Sequence, residues 1–220
     1  MNETIQDKDA WHARWQSGQI GFHRDQPNTS LQRHSSHLEP GRILLPLCGK
    51  SVDMIWLSTQ AFTVVGVELV PKAINAFFSE NNMTPEIRTE KERVSYRSDR
   101  VTIYHSDFFL LSTSNIGQFD ALYDRAALVA LEPGLREQYA QHCLDFLRPG
   151  GTLLLLTYDL PRPITQGPPF PVRNPSVPKL YAQASSVQLL EEITYDQTTE
   201  PRLKERGLQW SKEAIWKIRK

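Results

Sequence analysis

The hydrophobic positions of this chain fall into short, dense runs separated by longer stretches in which apolar residues recur at helical spacing. That alternation is the pattern of βαβ units laid around a parallel sheet, whose strands are buried on both faces and so lack a polar side. Arg42 to Leu47 (RILLPL) and Thr63 to Leu69 (TVVGVEL) are the first two such runs; Phe119 to Asp124 (FDALYD) and Thr152 to Tyr158 (TLLLLTY) are two more. Glu92 to His105 reads as a strand pair turning at Ser98-Asp99-Arg100, and Ser186 to Asp196 and Ser211 to Arg219 as a final antiparallel pair at one edge. Between the runs, Ser51 offers an N-cap ahead of Met54, Leu57 and Ser58. Pro71 stands at the first position of a helix reaching Asn82, and Pro133 to Leu147 carries Leu135, Tyr139, Cys143 and Phe146 on one stripe. Arg148-Pro149-Gly150-Gly151 stops that helix. The count is about seven strands: an α/β, doubly wound sheet with an antiparallel addition.

Composition narrows the function classes. The 220 residues suit one domain, and 25 basic against 25 acidic residues leave no net charge, so no nucleic-acid partner is expected. Cys48 and Cys143 are far apart and in neither a metal nor a redox spacing, which fits free thiols in a reducing compartment. The amino-terminal stretch is charged, and no run approaches the roughly 20 apolar residues of a membrane helix, so a cytoplasmic protein without membrane partners is expected. Prolines cluster between Pro161 and Pro178 and mark one long loop.

The segment Leu44 to Ser51 (LLPLCGKS) ends in Gly-Lys-Ser, yet Leu44 occupies the place of the first glycine of a phosphate-binding loop. A dinucleotide turn needs three glycines after the first strand, and only Gly49 is present here, which would crowd a pyrophosphate. What remains is a first strand, a tight turn, and an acidic residue, Glu68, at the end of the second strand, near the distance at which a ribose-binding acid falls. A ligand with ribose and adenine but no pyrophosphate fits, and S-adenosylmethionine is the common one. Glu68 as a solvated strand end is the alternative.

Five separated blocks carry a more specific signal: WHARWQSGQIGFH (Trp11 to His23), LLPLCGKSVDMIWL (Leu44 to Leu57), VVGVELV (Val64 to Val70), YDRAALVAL (Tyr123 to Leu131) and GPPFPV (Gly167 to Val172). Together they resemble the thiopurine S-methyltransferase family in its bacterial form. The resemblance implies a class I, Rossmann-like methyltransferase fold: a seven-stranded, mostly parallel sheet with helices on both faces, residues 41–220 forming the core and 1–40 an amino-terminal lid. It implies that Trp11, Trp15 and Phe22 close over the cofactor, and that Leu47, Gly49, Glu68 and Leu69 contact it. Ser106 and Asp107 would lie near the adenine, and Arg125 would reach the reacting atoms as the catalytic residue. Phe22, Arg125 and Arg202 would line the substrate side, although Arg206 is equally near in sequence. Ser106 stands where many relatives carry glycine. The implied reaction is transfer of the methyl group of S-adenosylmethionine to an aromatic or heterocyclic thiol, or to a selenium or tellurium species, by a monomer, releasing S-adenosylhomocysteine. A nicotinamide-dependent oxidoreductase and a non-catalytic binder of S-adenosylmethionine are the rivals.

Methyl transfer to sulfur needs little acid or base, because the leaving group is a neutral thioether; it needs alignment and a dry pocket. Trp11 and Trp15, four residues apart on one helical face, and Phe22 beyond the Gly18 and Gly21 loop, suit an aromatic lid, or else simply anchor a helix. Arg125 can stabilise a thiolate or orient a purine nitrogen, or else pair with Asp124. Cys48 has no partner base beside it and reads as a small apolar turn residue. His34 and His37 lack a neighbouring carboxylate in sequence, so no metal is expected.

Overall fold

A computed structural model of the protein describes residues 8–90 and 93–220; expectations touching residues 1–7 and Glu92 lie outside the described residues. The chain enters through α1 (Lys8–Gln16) and α2 (Thr29–His34), then forms β1 (Arg42–Pro46), α3 (Asp53–Thr59), β2 (Thr63–Glu68) and α4 (Pro71–Glu80). There follow β3 (Glu86–Glu90), β4 (Arg93–Ser98), β5 (Val101–His105), α5 (Thr113–Ile116), β6 (Phe119–Arg125), α6 (Arg136–Phe146) and β7 (Leu147–Asp159). The last elements are α7 (Val177–Leu180), β8 (Ser186–Asp196), α8 (Arg202–Glu205) and β9 (Trp210–Arg219). All described strands join one sheet in the order β3-β4-β5-β2-β1-β6-β7-β9-β8. β5, β2, β1, β6 and β7 run parallel, with β9 antiparallel to β7 and β8 antiparallel to β9.

The continuous apolar strands are explained by the burial of both faces. Successive residues of one strand enter different cores: Ile43 and Leu45 pack with Leu31, Met54, Leu57, Ile74 and Phe77 on one side, while Leu44 packs with Tyr139, Cys143 and Phe146 on the other. The same alternation separates Leu154 and Leu156 from Leu153 and Leu155 in β7. α2, α3 and α4 therefore cover one face, and α6 and α7 the other. Gly66 in β2 leaves room for its neighbours, since a Cβ there would stand 2.6 Å from the Cys48 Sγ; Cys48 fills the place of a side chain, as its sequence environment suggested.

Several boundaries differ from the sequence expectation. The sheet has nine strands rather than about seven: all eight runs named from sequence form strands, and β3 (EIRTE), exposed at every position and so without apolar alternation, is added as the outer partner of β4. α6 begins at Arg136, after a 3₁₀ turn at Pro133–Leu135. Arg148 to Gly151 does end the helix, but as the opening of β7: Leu147 already pairs with Phe119, and a register shift before Ala121 absorbs the glycines. Gly151 is required there, as a Cβ would lie 2.9 Å from the Asp120 carbonyl oxygen. α3 starts at Asp53 with Val52 at its N-cap, although the Asp53 N–H does donate to the Ser51 hydroxyl. α4 ends at Glu80, where Asn82 takes a positive φ of 55°.

Candidate active site

The carboxyl ends of β1, β2, β5, β6 and β7 share one edge, the place where ligands bind in open parallel sheets. Beyond β1 the backbone turns through Leu47 (φ 48°) and Gly49 (φ 54°), and beyond β6 through Ala126 (φ 69°). A left-handed leucine and a left-handed alanine are costly, and such strain gathers where a backbone must be shaped for a ligand.

Glu68 holds the first turn. Its buried carboxylate accepts the Gly49 N–H at 2.8 Å through one oxygen and the Val70 N–H at 2.7 Å through the other. Burial raises its pKa, opposed by donation from the Val70, Gly49 and Leu69 N–H groups. The backbone donors do not exhaust the lone pairs of the carboxylate, so the side chain can still accept a hydroxyl donor, as a ribose presents it. Its exposure is only 6%, so Glu68 is not a solvated strand end.

The amino-terminal segment lies on this turn. Trp15 and Phe22 are the nearest groups to a Cβ built on Gly49, at 3.3 and 3.9 Å, so any larger residue would push the aromatic cover away. The Phe22 ring meets Trp11 at 6.1 Å and Trp15 at 5.9 Å, both edge to face. Trp15 is buried with Val70 and Ala73, and Leu69, Ile20, Trp11 and Phe22 pack around them. The two readings of the tryptophans therefore divide: Trp15 anchors α1 to α4, while Trp11 and Phe22 stay partly exposed beside the turn. Two polar ties fix the cover, the Lys8 Nζ to Asp107 ion pair at 2.7 Å and the Lys72 Nζ to Gln16 carbonyl bond at 3.3 Å.

Ser106 and Asp107 follow β5. The Ser106 N–H donates to the Glu68 carbonyl at 3.0 Å, placing this turn against the end of β2. Asp107 is shared between Lys8 and the Phe109 N–H.

Asp124 and Arg125 end β6 and point to opposite faces of the sheet. Asp124 faces α6, where it accepts the Tyr139 hydroxyl at 2.8 Å and the Ala127 and Leu128 N–H groups. The Asp124–Arg125 pair considered from sequence is therefore not formed. Arg125 shares the side of Tyr123 and interacts with Tyr158, Tyr123 and Asp53; burial works against its charge, and these groups outweigh burial, so the guanidinium is held firmly protonated. Its Nε is buried without a hydrogen-bond partner among the described residues. Beneath it, the Tyr123 hydroxyl donates to Asp53 at 3.2 Å, and Asp53 also accepts the Asn28 N–H at 2.7 Å. Tyr158 bonds to Glu213, which accepts the Ser30 hydroxyl at 2.7 Å. Asp53, Tyr158 and Glu213 escaped the sequence reading because they come from three distant elements.

The proline-rich loop packs beside the turn after β6 and the end of β7, where the Val172 N–H donates to the Tyr158 carbonyl at 2.8 Å. Arg136, buried at the start of α6, donates to the carbonyls of Leu131, Phe170 and Pro171, and the Phe170 N–H donates to Val129. Arg173 adds Asp159 and the carbonyls of Leu160 and Arg162. Arg202 is exposed on α8, which attaches through Leu203 to Leu160; no described contact links it to Glu68 or Arg125, and the charge of Arg206 helps hold the Arg162 pKa down. Among the described residues no group of three or more metal-ligating side chains occurs, and no helix is long and apolar enough to cross a membrane.

This sheet and edge are those of the class I S-adenosylmethionine-dependent methyltransferases. 1,6-Didemethyltoxoflavin-N1-methyltransferase of Burkholderia thailandensis, solved with bound S-adenosylhomocysteine, superimposes with a TM-score of 0.63 at 15% identity, covering 100% of this chain and 93% of that one. The arsenic (III) S-adenosylmethionine methyltransferase of Chlamydomonas reinhardtii gives 0.55 at 14% identity over 84% and 64%.

Within that class the chain belongs to the thiopurine S-methyltransferase family, whose model matches residues 6–220. Thiopurine S-methyltransferases of Nitrosospira multiformis and Pseudomonas aeruginosa are 41% and 43% identical to it, over 95% and 94% of this chain and 96% of each relative. It is thus a methyltransferase, with S-adenosylmethionine as donor.

Proposed function

We propose that the protein transfers the methyl group of S-adenosylmethionine to the sulfur of small aromatic or heterocyclic thiols of the thiopurine kind, such as 6-mercaptopurine. The observation that carries this reading is the meeting of an aromatic cover, Trp11, Trp15 and Phe22, with the strained Gly49 turn that Glu68 braces. The residues suit the donor: Glu68 keeps acceptor capacity for a ribose hydroxyl, Leu47 and Leu69 offer apolar walls, and Ser106 and Asp107 stand at the adenine side. When bound, S-adenosylmethionine supplies an electrophilic methyl on a sulfonium and leaves as a neutral thioether.

The chain's own residues align and desolvate. Trp11 and Phe22 exclude water and set aromatic faces toward a cation, a contact of about 0.5–2 kcal/mol. Arg125 holds a thiolate or a purine nitrogen on the other side; Phe22 and the Phe170 loop flank the acceptor, with Arg202 or Arg206 at the rim. The amino-terminal segment through α1 and α2 acts as the lid of a single catalytic domain over the sheet that follows. Soft, polarizable selenium and tellurium species suit the same dry pocket. Two unpaired cysteines suit a reducing cytosol, zero net charge suits a small-molecule substrate rather than nucleic acid, and the enzyme acts as a monomer.

Calorimetric titration with S-adenosylhomocysteine, followed by 6-mercaptopurine in the same cell, tests the reading. Micromolar binding of the first and binding of the second to that complex are expected. Binding of the first with no turnover of any thiol or selenol would leave a mere binder of the cofactor.

A further inference from the structure

The antiparallel corner of the sheet, made by β3, β4 and β5, has one apolar face and one polar face. Tyr96, Val101 and Ile103 point into the core that α3 and α4 cover. On the α6 side the same strands carry charged and hydroxyl side chains, and their register sets the pattern. Ser95 of β4 lies between Arg88 of β3 and Tyr104 of β5, and Arg97 lies between Glu86 and Thr102. Arg93, opposite Glu90, completes β4 on that face, since alternate residues of a strand share a side.

Three guanidinium-bearing residues thus surround one hydroxyl. Arg88 stands across the ladder from Ser95, at about 5 Å between Cβ atoms, and Arg93 and Arg97 stand about 7 Å to either side along β4. They line a pocket of about 130 Å³, which Thr102, Tyr104 and Asn115 of α5 complete. That volume admits a tetrahedral oxyanion with water beside it.

The lining donates far more than it accepts. Among the described residues the Ser95, Thr102 and Tyr104 hydroxyls and the Arg97 guanidinium make no hydrogen bond. Asn115 spends its side-chain oxygen on the Ser112 N–H at 2.7 Å, which leaves its amide nitrogen to donate. Arg93 gives Nη1 to the Asn115 backbone carbonyl at 2.5 Å, a neutral partner that leaves the charge in place. Arg88 is held in a fork by Glu86, at 2.9 and 3.0 Å. Glu90 is the one carboxylate in the lining; with Glu86 included, three arginines face two carboxylates, a surplus of one cation on a chain of zero formal net charge. A ladder of cross-strand ion pairs needs neither that surplus nor a group of unused hydroxyls.

We propose that this corner is a binding site for a phosphate group, separate from the methyl-transfer site, with Arg93 and Arg97 taking its charge and Ser95 and Tyr104 donating to its remaining oxygens. Guanidinium forks and hydroxyls are the donors that phosphate oxygens select. Because β3 is exposed at every position, the pocket opens to solvent on that side, and it takes either the free ion or the phosphate end of a small ester. The assignment does not depend on which acceptor is methylated.

Calorimetric titration of the full chain in chloride buffer tests it, with inorganic phosphate and with phenyl phosphate. The protein is first saturated with S-adenosylhomocysteine, so that the Gly49 turn is filled. Single-site binding with a Kd of about 1 mM or below is expected, weakening as chloride is raised. Arg97→Gln should raise that Kd about 10-fold and Ser95→Ala several-fold, each with unchanged affinity for S-adenosylhomocysteine. The amide NMR signals of Ser95 and Tyr104 should move with phosphate while that of Gly49 stays still. Tighter binding of phenyl phosphate identifies an ester as the ligand and equal binding the free ion; both support the site. No saturable binding of either compound, a Kd unaltered in Arg97→Gln, or binding of single-stranded RNA alone would overturn it. If Arg97→Gln loses S-adenosylhomocysteine binding, Ser95→Ala, which removes only a hydroxyl, decides in its place.

Discussion

Single side chains divide the labour at the sheet edge by the direction in which a strand points them. Glu68 faces the turn and braces it, so Glu68→Ala should raise the Kd for S-adenosylhomocysteine by roughly 1–3 kcal/mol, measured calorimetrically, through loss of acceptors and of the Gly49 and Val70 partners. Unchanged affinity would remove Glu68 from the site. Arg125→Ala should depress turnover with a thiopurine while leaving the fold intact, and normal kinetics would make Arg125 structural. Asp124, one residue away, points into the core, where burial lifts its pKa from 3.8 to about 6 against donation from Tyr139, Leu128 and Ala127. The native state thus holds this proton more tightly than the unfolded chain. Its contribution to stability is whole below about pH 4 and is lost as pH rises through about 6, a change on the order of 3 kcal/mol. Denaturant titrations at pH 4 and pH 7 should show this component in the wild type and not in Asp124→Asn; parallel behaviour of the two proteins would mean that Asp124 ionises normally.

At the scale of elements, the loop from Pro161 to Val172 is fixed from outside itself. Arg136 reaches from α6 to three carbonyls, two of them in this loop, and burial depresses its own pKa to about 10. Arg136→Ala strands those carbonyls, and a stability loss of about 3 kcal/mol is expected by chemical denaturation, together with faster amide exchange at Phe170 and Val172. Gly49 is the element joint on the other side. Gly49→Ala places a methyl 3.3 Å from Trp15 in a left-handed backbone, and should weaken S-adenosylhomocysteine binding and lower Tm together. β3 shows the opposite relation between sequence and element: nothing in Glu86 to Glu90 marks a strand, and only the open edge of β4 makes it one.

For the whole molecule, the lid and the core are coupled by mass action, because a ligand held between them binds only the folded chain. S-adenosylhomocysteine at 100 times its Kd should add about 2.7 kcal/mol, or roughly 5–10 °C in Tm for a chain of this size. Trp15→Ala, by loosening α1 from Val70 and Ala73, should remove much of that shift as well as costing about 3–5 kcal/mol of intrinsic stability. A full shift in the variant would mean that the lid is not part of the binding site.

The sequence by itself determined the kind of sheet. Strands apolar at every position can be satisfied only by burial of both faces, and Leu44 to Ser51 with its single glycine already excluded a pyrophosphate. It also named Gly49, Glu68 and Arg125, which lie at one edge because strand ends and their turns are local in the chain, and Trp11, Trp15 and Phe22, which reach that edge only by packing on Gly49 and α4. Only the tertiary structure decided which way consecutive residues face, sending Asp124 to Tyr139 and Arg125 to Tyr158, because strand periodicity alternates sides but does not say which side holds the site. It likewise decided the polar bracing by Asp53 and Glu213 and the anchoring of the proline loop by Arg136. Such contacts depend on chain segments that meet only when the sheet is complete.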